Sequence, residues 1–364
     1  MSYESRTFAA QDATQEYMDD SKLSVNQIIE AIKMLTTSEY NEFVSRLASL
    51  QRPEDSIDVY IEEQRFSNGR VCPMCGSEKV VRNGRRKDGI QKFCCKDCGK
   101  SFVAKTCTIA SGTRKPLDIW IKYIECMMNW ATVRESAERC GISDRTSFIW
   151  RHKILDAMRI MMDDVTLEGI VEADEAYLPI SYKGNHKKSK DFDMQRAPRK
   201  RGSEIHKRGL SNELVCIPCA VDRNGQSIGK ATNIGQCSSD DINGLLGGKI
   251  KELSAFCTDG NSVYRKLSRK EDLNLIPLKG GGKAKKGIYH IQHINSYHSE
   301  LKRFLGFFKG VSTKYLNNYI VWNSLVNFAK ETYQEKAALF LNYVLTATLS
   351  ERFEDVADRP PLPK

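Results

Sequence analysis

No stretch of this chain approaches the roughly 20 consecutive apolar residues needed to cross a bilayer, which sets a helical membrane protein aside. The first residues, MSYESRTFAAQDATQEYMDD, lack the basic-then-apolar pattern of a secretory signal. No internal repeat is visible, so a stacked repeat array is not expected. Without an export signal, the twelve cysteines are expected in a reducing cytoplasm, where metal binding is favoured over disulfides. What is present is an ordinary globular composition, 40% hydrophobic and 28% charged, over 364 residues. That length accommodates two or three domains with a sizeable core. The net charge of +10 points to a polyanionic partner, above all nucleic acid.

The pattern divides the chain. Residues 1–66 read as a helical N-terminal arm, with Ile28, Ile29, Ile32 and Leu35 at helical spacing and Thr37 and Ser38 offering caps for a second helix. The arm reads equally as a DNA-contacting or self-associating element and as a small packing module. Residues 67–106 carry cysteines, and 114–165 read as helices. From 166 to 335, strand-like runs (GIVEADEAYL, LVCIPCAVD, AFCTDG) precede and alternate with helical patterns, so a mixed α/β domain is expected. Asn224 and Gly225 predict a hairpin turn. A basic insert, 183–208, interrupts the strands; it reads as a solvated loop or as a loop that tracks phosphates. Residues 336–364 read as a C-terminal helix and a disordered tail, DRPPLPK.

CPMC and CKDC place Cys72, Cys75, Cys95 and Cys98 in two CxxC knuckles nineteen residues apart. Each knuckle aims two soft thiolates at one point, which suits a tetrahedral structural Zn²⁺ with no open position. Gly76 and Gly99 follow the knuckles, where a tight turn favours positive φ. Cys94 falls outside the pairing, and CIPC (216–219) has no partner pair and reads as core. Further on, TVRESAERCGISDRTSFIWRHKILDAM has the spacing of a helix, a glycine turn and a second helix capped by Ser143. Phe148, Ile149 and Leu155 would hold that helix to the core, and Arg145, Thr146, Arg151 and Lys153 would face a DNA groove or phosphates.

Two carboxylates stand at strand ends: Asp174 in IVEADEAY, with Glu172 on its face and Glu175 on the opposite one, and Asp259 in AFCTDGN. Hard oxygen ligands converging there suit Mg²⁺, and a pair of such ions suits phosphodiester chemistry. Together with the ribbon and the helix pair, VEADEAY, TDG and HINSYHSELKRFLGFFKGVSTKYLNNYIVW resemble the ISXO-like group of DDE-type bacterial insertion-sequence transposases over residues 70 to 330. The resemblance implies a multidomain α+β protein: an N-terminal helical arm, a Cys₄ zinc ribbon, a helix-turn-helix and an RNase H-like α/β catalytic domain. It also implies two Mg²⁺ or Mn²⁺ ions, double-stranded DNA as partner (transposon ends and target), and a homodimer or higher synaptic oligomer.

By position, Asp174 and Asp259 match the family's first two acids. Thirty-five residues then precede Asn295, which takes the third place, and Lys302 the basic one two helical turns later. Asn in place of Glu keeps a metal-ligating oxygen but removes a charge. Glu300 projects about 140° from Asn295 and is a poor substitute. His298 reads either as a secondary ligand or phosphate contact, or as a helix-surface residue. Ile294, Tyr297, Leu301, Phe304, Leu305 and Phe308 form the opposite, core face. The implied activity is Mg²⁺-dependent strand cleavage and transfer without a covalent protein intermediate. A domesticated DNA-binding regulator and an RNase H-like nuclease are the alternatives.

Overall fold

The computed structural model describes residues 33–36, 38–39, 57–163, 165–183, 211–278, 285–328, 333–349 and 353–360. It divides into two units, Met1–Asp55 and Ser56–Lys364. In the first, Glu39 accepts from the Thr36 amide and hydroxyl while Thr36 Oγ1 accepts from the Glu39 amide. Thr36 and Glu39 thus make the reciprocal capping pattern, in place of the cap expected at Ser38; Thr37 lies outside the described residues. The helical stripe predicted over Ile28–Leu35 lies almost wholly outside the described residues, as do the insert from residue 184 and the last four residues of the tail.

The second unit opens with α1 (Ile57–Arg65), which buries Ile57 and Ile61. Arg65 donates to the carbonyls of Ala104 and Thr106 and to Thr348 Oγ1. The expected arm boundary at 66 thus moves to 55, because α1 is built into the following unit. Next come β1 (Val80–Arg85), β2 (Gln91–Cys95) and β3 (Ser101–Phe102), an antiparallel sheet with Phe93 buried at its centre. Three helices follow: α2 (Leu117–Met128), α3 (Val133–Cys140) and α4 (Asp144–Asp163). Thr132 and Glu135 form a capping box at the start of α3. Gly141 closes α3 at φ 58°, a left-handed conformation that glycine adopts without a Cβ clash. Ser143 Oγ then accepts from the Thr146 amide, the predicted cap of α4.

A mixed sheet forms the second half. Its strands are β4 (Ile170–Pro179), β5 (Leu214–Asp222), β6 (Ser227–Gly229), β7 (Asn233–Ile234), β8 (Ala255–Thr258) and β9 (Asn274–Pro277). The order is β6-β5-β4-β8-β9, with β7 beside β5. The first three are antiparallel; β8 and β9 run parallel to β4. The β5–β6 turn falls at Asn224 and Gly225, as expected, with Asp222 Oδ1 accepting from the amides of Asn224 and Gln226. Both cysteines of CIPC lie buried in β5.

Alternation along β4 sends Val171 and Ala173 to one core with α5 (Ser239–Leu246) and α6 (Ser262–Lys270). Ala176 faces a second, larger core with α7 (Gln292–Phe307) and α8 (Leu316–Asn323). That larger core runs on without a break through α1, the small sheet and α2–α4. A short hairpin, β10 (Lys285–Lys286) and β11 (Tyr289–His290), leads into α7. The chain ends on α9 (Tyr333–Thr346) and α10 (Phe353–Ala357). Val356 of α10 is buried and Arg359 pairs with the buried Asp156 of α4, so the expected loose tail is corrected through residue 359.

Candidate metal centre

Glycine turns build the thiol cluster. The amides of Gly76 and Gly99 donate to the carbonyls of Cys72 and Cys95, and both glycines sit at positive φ, near 70°. Cys72 Sγ lies 3.7 Å from Cys98 Sγ, and Cys75 Sγ 3.6 Å from Cys95 Sγ; all four sulfurs are within 4.8 Å of one another. A Zn²⁺ with Zn–S bonds near 2.3 Å demands S···S edges of about 3.8 Å. The donor set fits that ion. Backbone N–H groups of Cys98 and Asp97 help pull the Cys95 thiol down to about 6, favouring thiolate. Cys94 is turned toward the carbonyls of Cys95 and Gly99, outside the cluster.

The residues predicted to face DNA separate into two groups. Arg145 is exposed, with its guanidinium 4.1 Å over the Phe353 ring. Thr146 is partly exposed, within hydrogen-bond reach of Ser143, and Lys153 is partly exposed. Arg151 does not belong with them. It is 0% exposed, donates to the Ala131 carbonyl and Ser136 Oγ, and lies 5.0 Å over Trp322. It sits on the inner side of α4, and a buried cation cannot reach a phosphate. The expectation for Arg151 is corrected to a core role.

The carboxylates meet at the edge between β4 and β8. Ala173 pairs with Thr258 in parallel register, so the residues that follow them, Asp174 in β4 and Asp259 just past the end of β8, stand side by side. Asp174 is half-buried, and desolvation pushes its carboxyl up to about 6. The Glu175 amide bond and the Lys302 ammonium pull it down, while the charge of Asp259 pushes it further up. Asp259 is exposed, and its Oδ1 accepts from the Asn261 amide in the turn before α6. Glu175 points into the other core beside Tyr264, and burial raises its carboxyl to about 7.

The third element of this edge is α7. Asn295 is half-buried on its first turn and Lys302 exposed two turns on. Between them His298 is buried, which removes its helix-surface reading. Desolvation and the nearby Lys302 charge depress it to about 4, against a hydrogen bond with the Asp174 backbone, and its Nε2 has no partner among the described residues. Glu300 is held by Arg303 Nε and Nη2, away from the carboxylates. The apolar residues predicted for the opposite face are buried, Phe308 partly.

Sequence reasoning gave Glu172 no role beyond its face. It is 0% exposed, and its Oε2 accepts from the amides of His293 and Ile294, at 2.8 and 3.3 Å. Its Oε1 lies 2.8 Å from His293 Nδ1, 3.3 Å from His290 Nδ1 and 3.4 Å from Arg223 Nη2. The available signal was an absence: α7 has neither a capping side chain nor an acidic residue in its first turn.

The chain matches two family models. Residues 166–321 match the ISXO2-like transposase domain, and residues 52–101 match the transposase zinc-ribbon domain. It is 26% identical over 259 residues to an uncharacterised protein in the transposable element ISH50 of Halobacterium salinarum, covering 70% of this chain and 84% of that protein. A chain from the crystal structure of a pre-cleavage Mos1 transpososome is similar over 63% of this chain and 79% of its own, at 9% identity and a TM-score of 0.21. Among the described residues, no helix is long and apolar enough to cross a membrane.

Proposed function

Since this chain belongs to the ISXO2-like transposases and carries their zinc ribbon, we propose that it binds transposon ends and catalyses DNA strand cleavage and strand transfer at a site formed by Asp174, Asp259 and Asn295. The sheet order, three antiparallel strands followed by two parallel ones, supports an RNase H-like domain. The helix pair α3–α4 with its Gly141 turn supports a helix-turn-helix. One observation carries the site: the parallel pairing of Ala173 with Thr258 sets Asp174 of β4 beside Asp259 just past β8, where the Asp259 charge helps to raise the Asp174 carboxyl and Lys302 opposes it. Crowded like charges of this kind call for cations, and two carboxylates plus an amide oxygen are hard donors suited to Mg²⁺ or Mn²⁺.

When bound, two such ions would activate the attacking oxygen and stabilise the leaving one. The residues supply the rest. Asp174 and Asp259 hold negative charge at fixed strand positions. Asn295 offers an oxygen without charge, so the site holds its second ion more weakly than a three-carboxylate site. Lys302 meets a DNA phosphate as a point charge. Arg145, Thr146 and Lys153 contact the terminal repeat, and the thiol cluster holds a structural Zn²⁺. Two DNA ends are joined in concert, so the working form is a dimer or larger assembly.

The test is an assay with Mn²⁺, a terminal-repeat duplex and a target plasmid. Asp174→Ala and Asp259→Ala should each lower joined product on the order of 10²–10³-fold or more. Full joining by both variants would overturn the reading. A regulator that binds without cutting is the second reading, favoured by the missing charge at Asn295; binding with no cleavage in either metal would select it.

A further inference from the structure

The helix that carries Asn295 begins without a cap of its own. Ile291 offers no side-chain acceptor, and the first turn holds no acid. The first amides of a helix need partners, and its positive end favours an anion. Glu172 supplies both from another element. It reaches across from β4, accepts from the His293 and Ile294 amides, and is buried where it does so. Two residues along the same strand, on the same face, stands Asp174; two residues along the helix from His293 stands Asn295. One carboxylate therefore fixes the spacing between them.

The surrounding groups lock that carboxylate. His293 Nδ1 donates to its Oε1, and Arg223 Nη2 adds a guanidinium while also donating to the Ile288 carbonyl, 2.7 Å away. Arg223 Nη2 also lies 3.2 Å from His290 Nε2. A guanidinium cannot accept, so His290 Nε2 takes the acceptor role towards Arg223, while its Nδ1 lies 3.3 Å from both Glu172 Oε1 and the Gln292 amide. The same arrangement disfavours a cation among Glu172, His290 and His293, although their ligand atoms lie within 4.8 Å. Metal on His290 Nδ1 would put a proton on Nε2, against the Arg223 donor. At the far end of α7, Lys183 Nζ donates to the carbonyls of Phe308 and Gly310, both at 2.8 Å. One run of chain thus grips α7 with an anion at its N-terminus and a cation at its C-terminus, each matched to the helix dipole.

We propose that Glu172 is a positioning residue: a cap supplied from β4 that holds the first turn of α7 so that Asn295 faces Asp174. The proposal rests on the site reading above. Misplacement of a ligand by about 1 Å can lower a rate on the order of 10²-fold. Glu172→Ala in the full chain should therefore lower kcat for strand transfer about 10²-fold and raise the Mn²⁺ concentration for half-maximal activity about tenfold or more. KM for terminal-repeat DNA should stay within about twofold. Glu172→Gln keeps an acceptor for the two amides and should recover most of the loss. Hydrogen exchange gives a readout independent of activity and metal: His293–Asn295 amides should lose protection in Glu172→Ala and regain it in Glu172→Gln.

Asp259→Ala run alongside separates the two claims. If Asp259→Ala loses Mn²⁺ dependence while Glu172→Ala keeps wild-type kcat and first-turn protection, the cap is wrong and the site stands. If Asp259→Ala also behaves as wild type, the site reading fails and the cap has nothing to position. Should Glu172→Ala fail to fold, His293→Ala, which removes a donor that locks the carboxylate, carries the test; unchanged first-turn protection and kcat in it would overturn the cap. Zinc content should be one per chain. A second zinc lost in His290→Ala would make the cluster a metal site instead.

Discussion

At the scale of single residues, environment separates side chains that the sequence shows as equals. Asp174 and Glu175 are neighbours, yet strand alternation sends one to the edge with Asp259 and the other into the core beside Tyr264. Burial lifts the Asp174 carboxyl from 3.8 to about 6. A raised carboxyl favours the protonated fold, so stability is full below pH 3.8 and falls as pH rises to about 6, staying reduced above it. Asp174→Asn should therefore stabilise the metal-free protein at pH 8 by about 1–3 kcal/mol. The gain should vanish toward pH 4, read from melting curves at both values. Arg145 and Arg151 were also alike in sequence, both basic and on one predicted helix. The six-residue interval turns them to different sides of α4, and which side faces the core depends on Trp322, far along the chain. No local pattern contains that contact.

At the scale of elements, the short-range features were legible. Both CxxC knuckles, their glycine turns, the Ser143 cap, the Asn224–Gly225 hairpin and the apolar face of α7 all follow from spacing and residue type. The cap of α7 was not, because its acceptor lies more than a hundred residues away, on β4. For the ribbon, Cys95→Ser should remove the bound zinc, measured by metal analysis. Amides of β1 and β2 should lose exchange protection, with β4 and β5 unchanged. The helix pair gives a milder test. Thr132→Ala removes half of a reciprocal capping box and should cost about 1 kcal/mol of stability, read by denaturant melting.

At the scale of the whole second unit, the larger apolar core runs unbroken from α1 through the small sheet and α2–α4 to the face of the mixed sheet that packs on α7 and α8. The family-like run GVSTKYLNNYIVW explains part of this joining. Thr313 exchanges hydrogen bonds with Ser181 after β4, Asn317 with Ala231 beyond β6, and Lys314 with the Ala357 carbonyl; Asn318 reaches His152 in α4. The run works as a structural joint between these elements. Charge divides between binding and stability. Arg145→Ala should weaken end binding and reduce the salt slope by roughly one unit, with melting unchanged. Arg151→Ala should lower stability by about 2–4 kcal/mol, because it strips the groups that a buried guanidinium satisfies. The central claim is that Asp174, Asp259 and Asn295 form one metal site. It is tested most directly by anomalous diffraction from crystals grown with Mn²⁺. The account predicts a peak about 2.0–2.2 Å from oxygens of Asp174 and Asp259, with the Asn295 amide oxygen in its shell. A peak on Glu172, His290 and His293 with none between the aspartates would contradict it.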